Sequence, residues 1–458
     1  MGTAKILQLL RDFESRNVLF MEKDSSWPIV WQHAKGCAVW DADGKKYLDL
    51  TGAFGVAAAG HANAAVVQAA HRQMRQLLHA MGDVHPHPLK AALARDLSRL
   101  TFERWTGKAA LSNTRLGTGK SAENAHDARG KTIFCNSGFE AVEAALKTAM
   151  LATGKREVIA FTGSYHGLGY GALSVTHRDF FHSPFHPQLR RFGRFVPFPA
   201  SHQKHSGLAH LEKQIAQTLR QKQTGAILVE PVQARGGIRI PPPDFLPMLR
   251  ALCNQFGVLL ILDEVYTGFG RTGRWFACEH SATVPDLICL GKALTGGFPL
   301  SACVGRADVM DTAWPPSRGE AIHTSTFLGH PVGCAMALAQ IAQIKRLALC
   351  SRSARLGNFL LAELEAIKTR KLKIRISARG LGLMAGLELC LHDGSPASAE
   401  TFGAIKRMLK RGYILLPEGE RGNVISFTPP LTIGQGELSR AVRMLRTVLL
   451  EQFGSRSF

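Results

Sequence analysis

At 458 residues, with 45% hydrophobic and 20% charged side chains, the chain has the size for two or three domains and the composition of a globular enzyme. No run approaches the roughly 20 apolar residues of a membrane helix, which argues against a spanning protein. Lys and Arg outnumber Asp and Glu by 56 to 35, giving +21, but they are scattered, with small clusters at 368–375 and 406–411. A solvated surface fits that spread better than a nucleic-acid interface, which would gather charge in an aromatic-laced stripe, and attraction of anionic substrates or a polyanionic partner is the alternative.

The N-terminal MGTAKILQLLRDFESRNVLF alternates charged and apolar residues and carries Asp12 and Glu14, so it reads as an amphipathic surface helix and not as a signal peptide. Ile6 breaks the myristoylation pattern, and a cytoplasmic protein is the expectation. AVWDADGKKYLDL (38–50) reads as a hairpin turning at Asp43-Gly44. Helical patterns follow at 64–78 and 88–100. HPHP at 85–88 has no carboxylate or Cys at ligand spacing, so no metal is expected there. The polar, Gly/Ser/Asn-rich stretch 107–130 reads as a loop or insertion.

From 132 to 330, short apolar strands alternate with helices: TIFCN, EVIAF, GAILVE, VLLILDEV, LICLG and SACVG, with helices near 139–153, 208–221 and 244–256. Such spacing predicts an α/β fold with a mostly parallel sheet covered by helices on both faces. The nine Cys include no CxxC pair, and Cys135, Cys289 and Cys303 fall inside strands, so buried reduced thiols are expected. A helix over 333–347 leads into a mixed α/β tail that reads as a smaller domain.

Three cofactors compete for LLILDEVYTGFGRTG (259–273). Asp263-Glu264 after an apolar strand resembles a magnesium site, but GTGKS (117–121) has Thr114 where a phosphate loop needs its first glycine. The glycines 268, 270 and 273 match a dinucleotide turn, yet no helical period follows them. The third reading gives Asp263 the protonated ring nitrogen of an organic cofactor. It is favoured by Asn136-Ser137-Gly138 at a helix start, which suits a phosphate. Tyr165-His166 at another strand end and Lys292 after LICLG complete a set that points to pyridoxal 5'-phosphate.

NSGFEAVEAALK, YHG, EPVQ, DEVYTGFGRTG, PDLICLGKALTGGFPLS and HTSTFLGHP, in this order, resemble the class III (subgroup II) aminotransferases of the type I pyridoxal-phosphate fold. The resemblance runs from YLDL at 47 to PPLTI at 429. It implies a large cofactor-binding domain (76–330) and a smaller C-terminal α/β domain (331–458), with the N-terminal segment and hairpin (1–75) joining the small domain and reaching a partner subunit. The implied activity is ping-pong transfer of an amino group from an amine or ω-amino compound to a 2-oxo acid. Lys292 would carry the cofactor as a Schiff base and shuttle the proton, and Asp263 would hold the ring nitrogen. Tyr165 would stack on the ring, with His166 beside it and Val265 supporting the opposite face. Ser137, Gly138 and Phe139 would seat the phosphate, Glu230 would organise the site near the ring oxygen, and Thr326 would reach the phosphate of the other subunit in a homodimer. An aminomutase or racemase on the same fold is the alternative.

Substrate recognition departs from the family pattern. Leu168 stands where many members carry a carboxylate-binding Arg, and Ser426 where many carry a gate Arg. Arg235 replaces the gate's usual Glu partner, and Phe54 adds apolar surface where the partner subunit lines the pocket. These changes predict an apolar or uncharged donor tail, with Arg235, no longer committed to a partner, receiving the acceptor carboxylate. Arg421 is the alternative source of that charge.

Overall fold

The computed structural model describes residues 1–24, 26–113, 128–199, 205–367 and 372–454. After a helix at Thr3–Phe13, β1 (Trp31–Lys35), β2 (Ala38–Asp41) and β3 (Lys46–Asp49) form an antiparallel ribbon. Asp41 builds the expected turn: its Oδ1 accepts from the N–H groups of Asp43 and Lys45, and Gly44 takes φ +84°. The ribbon's fourth strand, Tyr413–Ile414, pairs in parallel with β3 and comes from the far end of the chain.

β4 (Gly130–Cys135), β5 (Glu157–Phe161), β6 (Gly193–Val196), β7 (Thr224–Val229), β8 (Leu259–Asp263), β9 (Leu287–Leu290) and β10 (Ser301–Arg306) make the central sheet. Its order is β4-β10-β9-β8-β7-β5-β6, and only β10 runs against its neighbours. The strands are continuously apolar because both faces are covered. Leu260 and Leu262 of β8 point into the larger core, while Ile261 packs with Val142, Ala145 and Leu228 on the other face. Each such side chain contributes about 1.5–3 kcal/mol by leaving water. Cys289 and Cys303 lie opposite one another on β9 and β10, and all nine cysteines are free.

Helix Gly138–Thr153 follows β4 and stops at Gly154, whose φ of +67° closes the C-terminus. Helices His205–Arg220, Phe245–Phe256 and Pro331–Arg346 occupy the other expected positions. Helix Phe102–Asn113 corrects the reading of 107–130 as loop from its first residue: the long polar, glycine-containing stretch that follows hides the end of a helix continuing from the apolar stretch before it. The remainder of that insertion, 114–127, and the first residues of the basic run 368–375 lie outside the described residues. A third sheet, β11 (Arg375–Gly380), β12 (Ala385–Cys390), β14 (Leu416–Glu418) and β15 (Val424–Phe427), has the order β11-β12-β15-β14, Tyr413–Ile414 being β13. Among the described residues no single helix is long and apolar enough to cross a membrane.

Candidate active site

The carboxyl ends of the central strands converge, which is where open α/β sheets place their ligands. β8 ends in Asp263, β7 delivers Glu230, the turn after β5 carries Tyr165 and His166, and Lys292 follows β9. Lys292 adopts φ +39°, a left-handed conformation that a lysine enters only where its surroundings hold it. Together with Gly138, Phe139, Leu168, Arg235 and Val265, these residues line a cavity of about 430 Å³.

Asp263 is 6% exposed, and its Oδ2 lies 2.8 Å from His166 Nδ1 while its Oδ1 accepts from Val265 N at 3.1 Å. The carboxylate is therefore aimed by two groups before any ligand arrives. Lys292 Nζ sits 4.3 Å from the centre of the Tyr266 ring. Burial holds its pKa below that of a free lysine, opposed by the charges of Asp263, Glu230 and Glu418. A larger neutral fraction is what a nucleophilic amine needs. Glu230 Oε1 accepts from Tyr165 N at 3.0 Å and Oε2 from Ala234 N at 3.3 Å, so it fixes the backbone under the aromatic ring. Burial pushes its pKa up to about 7.

At the start of helix Gly138–Thr153, Ser137 Oγ is buried with no hydrogen-bond partner among the described residues. A Cβ on Gly138 would lie 2.9 Å from Val265 Cγ1, so only glycine lets the helix start come this close to β8. An orphaned hydroxyl and the free N–H groups of a first helical turn suit a phosphate. The pyridoxal-phosphate requirements are thus met by residues present: an amine, a carboxylate held for a ring nitrogen, an aromatic face and an anion seat.

The glycine stretch after Asp263 serves the fold. Glu264 accepts from Thr267 Oγ1 and from the N–H groups of Ala277 and Cys278 at 2.9 and 2.8 Å, which uses up the carboxylate proposed for magnesium. Arg271 is buried and donates to Leu383 O and Pro429 O at 2.8 and 2.6 Å, tying this loop to the third sheet.

The substrate side differs from expectation. Arg235 is not without a partner: its Nε lies 3.6 Å from Glu418 Oε2, and its guanidinium stands 5.5 Å from the Tyr165 ring centre. Glu418, at the end of β14, is buried, and that burial pushes its pKa up to about 7 against the pull of Arg235 and Lys292. The sequence reading missed it, although a carboxylate that ends an apolar run directly before the glycine of LPEG was a usable sign. Ser426 is buried in β15 and donates to Leu416 O at 3.1 Å, away from the cavity wall. Arg421 lines a separate cleft with Arg239 and Arg379, so it is not brought to the cavity. Leu168 is on the wall and 47% exposed. Phe54, 49% exposed with φ +60°, and the exposed Thr326 are not among the lining residues. Thr326 adjoins Ser325, whose Oγ accepts from Asn136 Nδ2 at 3.2 Å.

The family model for aminotransferase class-III matches residues 20–449. An acetylornithine aminotransferase of Methanopyrus kandleri is 35% identical over 432 residues, covering 94% of this chain and 96% of its own length. A putrescine aminotransferase of Pectobacterium atrosepticum is 34% identical, over 93% of this chain and 83% of its own. Among solved structures, a transaminase from the marine bacterium Virgibacillus superposes with a TM-score of 0.85 at 25% identity, covering 98% of this chain and 99% of that one. The chain belongs to the class-III aminotransferases, enzymes of the type I fold that use pyridoxal 5'-phosphate.

Proposed function

We propose that this enzyme moves an amino group from an amine or ω-amino compound to a 2-oxo acid, taking the two substrates in turn in one cavity. The observation that carries the proposal is Lys292, with its lowered pKa, sharing that cavity with the Asp263–His166 pair. The bound cofactor supplies an electron-accepting ring that lets a substrate C–H bond ionise. Lys292 Nζ would hold the cofactor covalently at rest and afterwards take and return the substrate proton. Asp263 would keep the ring nitrogen protonated, a pairing strengthened by exclusion of water, and His166 would fix the carboxylate's orientation. Tyr165, anchored through Glu230, would cover one ring face and Val265 the other. Ser137, Gly138 and Phe139 would hold the phosphate at the helix start. Arg235 would receive the acceptor's carboxylate, and Leu168 on the cavity wall, with Phe54 reaching in from the other subunit of the dimer, would favour an uncharged donor tail.

We read the enzyme as a homodimer in which Thr326 reaches the partner's phosphate seat, a reading supported by its exposure and that of Phe327 and Ile322 beside it. Exchange between Lys292→Ala and Thr326→Ala chains tests it: shared sites regenerate one intact site per mixed dimer. Mixtures that stay inactive despite demonstrated exchange would remove the shared site.

Amines offered singly to the holoenzyme, followed by recovery of nitrogen in an added 2-oxo acid, test the activity. Isomerised substrate without net transfer would make the enzyme a mutase or racemase instead.

A further inference from the structure

Away from the cofactor cavity, the segment after β5 carries a second cluster of ligating groups. Asp179, His182 and His186 bring one carboxylate oxygen and one ring nitrogen each within 4.8 Å of one another. His182 Nδ1 and His186 Nε2 are 2.8 Å apart, with the two rings stacked at 5.0 Å. Two protonated imidazoles cannot face each other at that distance, so a single proton is shared between these nitrogens. His182 Nε2 lies 3.0 Å from His177 O, and a carbonyl only accepts, so Nε2 carries the hydrogen. That bond turns the Nδ1 lone pair toward His186, the same orienting contact that metal-bound histidines make through their second nitrogen. His177 lines the same cleft of about 260 Å³, and its own Nδ1 is buried with no hydrogen-bond partner among the described residues.

We propose that Asp179, His182 and His186 bind one imidazole-preferring divalent cation of the Zn²⁺ class, which fastens the 177–186 segment against the active-site roof. Two imidazoles and one carboxylate, with room for water or His177, form a borderline donor set that favours Zn²⁺ over Mg²⁺ or Ca²⁺. Binding displaces the shared proton and spreads the two nitrogens to roughly 3.3 Å, the span set by Zn–N bonds of about 2.0–2.1 Å. Asp179 Oδ1 lies 3.6 Å from His182 Nε2 at rest, and its side chain, 89% exposed, has the space to swing to the Nδ1 side. The link to the roof is Phe181, inside the ligand run, whose ring meets Tyr165 edge-on at 5.5 Å. Arg178 closes over Phe181 at 5.1 Å. A cation there would limit the motion of the aromatic that backs the cofactor-stacking tyrosine.

The test is titration of chelator-treated holoenzyme with Zn²⁺ alone, followed by hydrogen exchange of the 177–189 segment with and without the metal. The expected result is one equivalent bound per chain, weakened at least about tenfold in His186→Gln and measurably in Asp179→Asn, with slower exchange of the segment in wild type only. Asp179 is exposed and His186 half-buried, and an unchanged cofactor spectrum would confirm that both variants fold. Equal Zn²⁺ affinity in wild type and both variants would overturn the site. Binding without slower exchange would overturn the fastening. Arg191 also lines the cleft, making inorganic phosphate the rival occupant. Phosphate binding that survives His186→Gln, with no uptake of Zn²⁺, would likewise overturn the assignment.

Discussion

The two ends of the active-site cavity are built on different principles. At the cofactor end, Asp263, His166 and Glu230 are each less than a tenth exposed and are held by hydrogen bonds from neighbouring strand ends. At the substrate end, Arg235 and Leu168 stand on loops, and the central contact is an ion pair at 3.6 Å without a hydrogen bond. The first end is rigid because the Asp263 and Glu230 carboxylates are already committed to neighbouring groups, which leaves the Ser137 hydroxyl open for a ligand. The second can rearrange, because Arg235 has a partner it can exchange. A transaminase that accepts two different substrates in one cavity needs both properties, in those places.

Breaking the cofactor end should produce the largest effects. Lys292→Ala should lower kcat by about ten-thousand-fold or more, because among the described residues no other amine lines the cavity to hold the cofactor and move the proton. Cofactor should still bind through the phosphate seat, so its absorbance should shift while its stoichiometry stays. Multiple turnovers by this variant would sink the assignment. Asp263→Asn should slow single-turnover proton removal by about 10²–10³-fold, since a neutral amide cannot hold a ring nitrogen protonated. The His166 contact persists with an amide, so cofactor affinity should change far less. A half-reaction rate near wild type would refute that role.

The same contrast governs what was legible in the sequence. The central strands announced themselves as continuous apolar runs, and the polar residues at their carboxyl ends could be assigned because strand ends point one way. The hairpin at 38–50 was equally clear, since Asp41 and Gly44 dictate its turn locally. The pairing of Arg235 with Glu418 was not legible, because the two residues lie far apart in sequence and meet only through the docking of β14. Reading Arg235 as unpartnered was an error of this kind: loss of the expected partner said nothing about a new one elsewhere. The continuation of helix Phe102–Asn113 past residue 107 was missed for a different reason, since KAALSN (108–113) is too short to show a period and runs into a long polar, glycine-containing stretch.

Smaller effects should sharpen the substrate end. Arg235→Ala should raise the acceptor's KM by about tenfold or more, since one charge-assisted bond is worth about 1.5–3 kcal/mol, with less change for an amine without a carboxylate. An unchanged acceptor KM would mean that another group receives that carboxylate.

The finest test concerns Glu418, which would compete with the acceptor if Arg235 receives its carboxylate as proposed. Its pKa of about 7 lies above that of a free carboxylate, so the side chain is mostly neutral at pH 6 and mostly charged at pH 8. A neutral Glu418 releases Arg235, whereas a charged one holds it. An acceptor carboxylate arriving at Arg235 would in turn push a proton onto Glu418, because the displaced carboxylate stays buried without its countercharge. The acceptor's KM should therefore rise as pH increases from 6 to 8, and the KM of an amine donor should not follow it. Glu230 titrates in the same range, so wild-type data alone cannot separate the two groups. Glu418→Gln does: it keeps the shape, removes the competing charge, and should lower the acceptor's KM at pH 8 by about threefold while flattening this part of the profile. If the variant keeps the wild-type slope, the dependence belongs to Glu230, and the Arg235–Glu418 pair is a fixed strut and not an exchangeable contact.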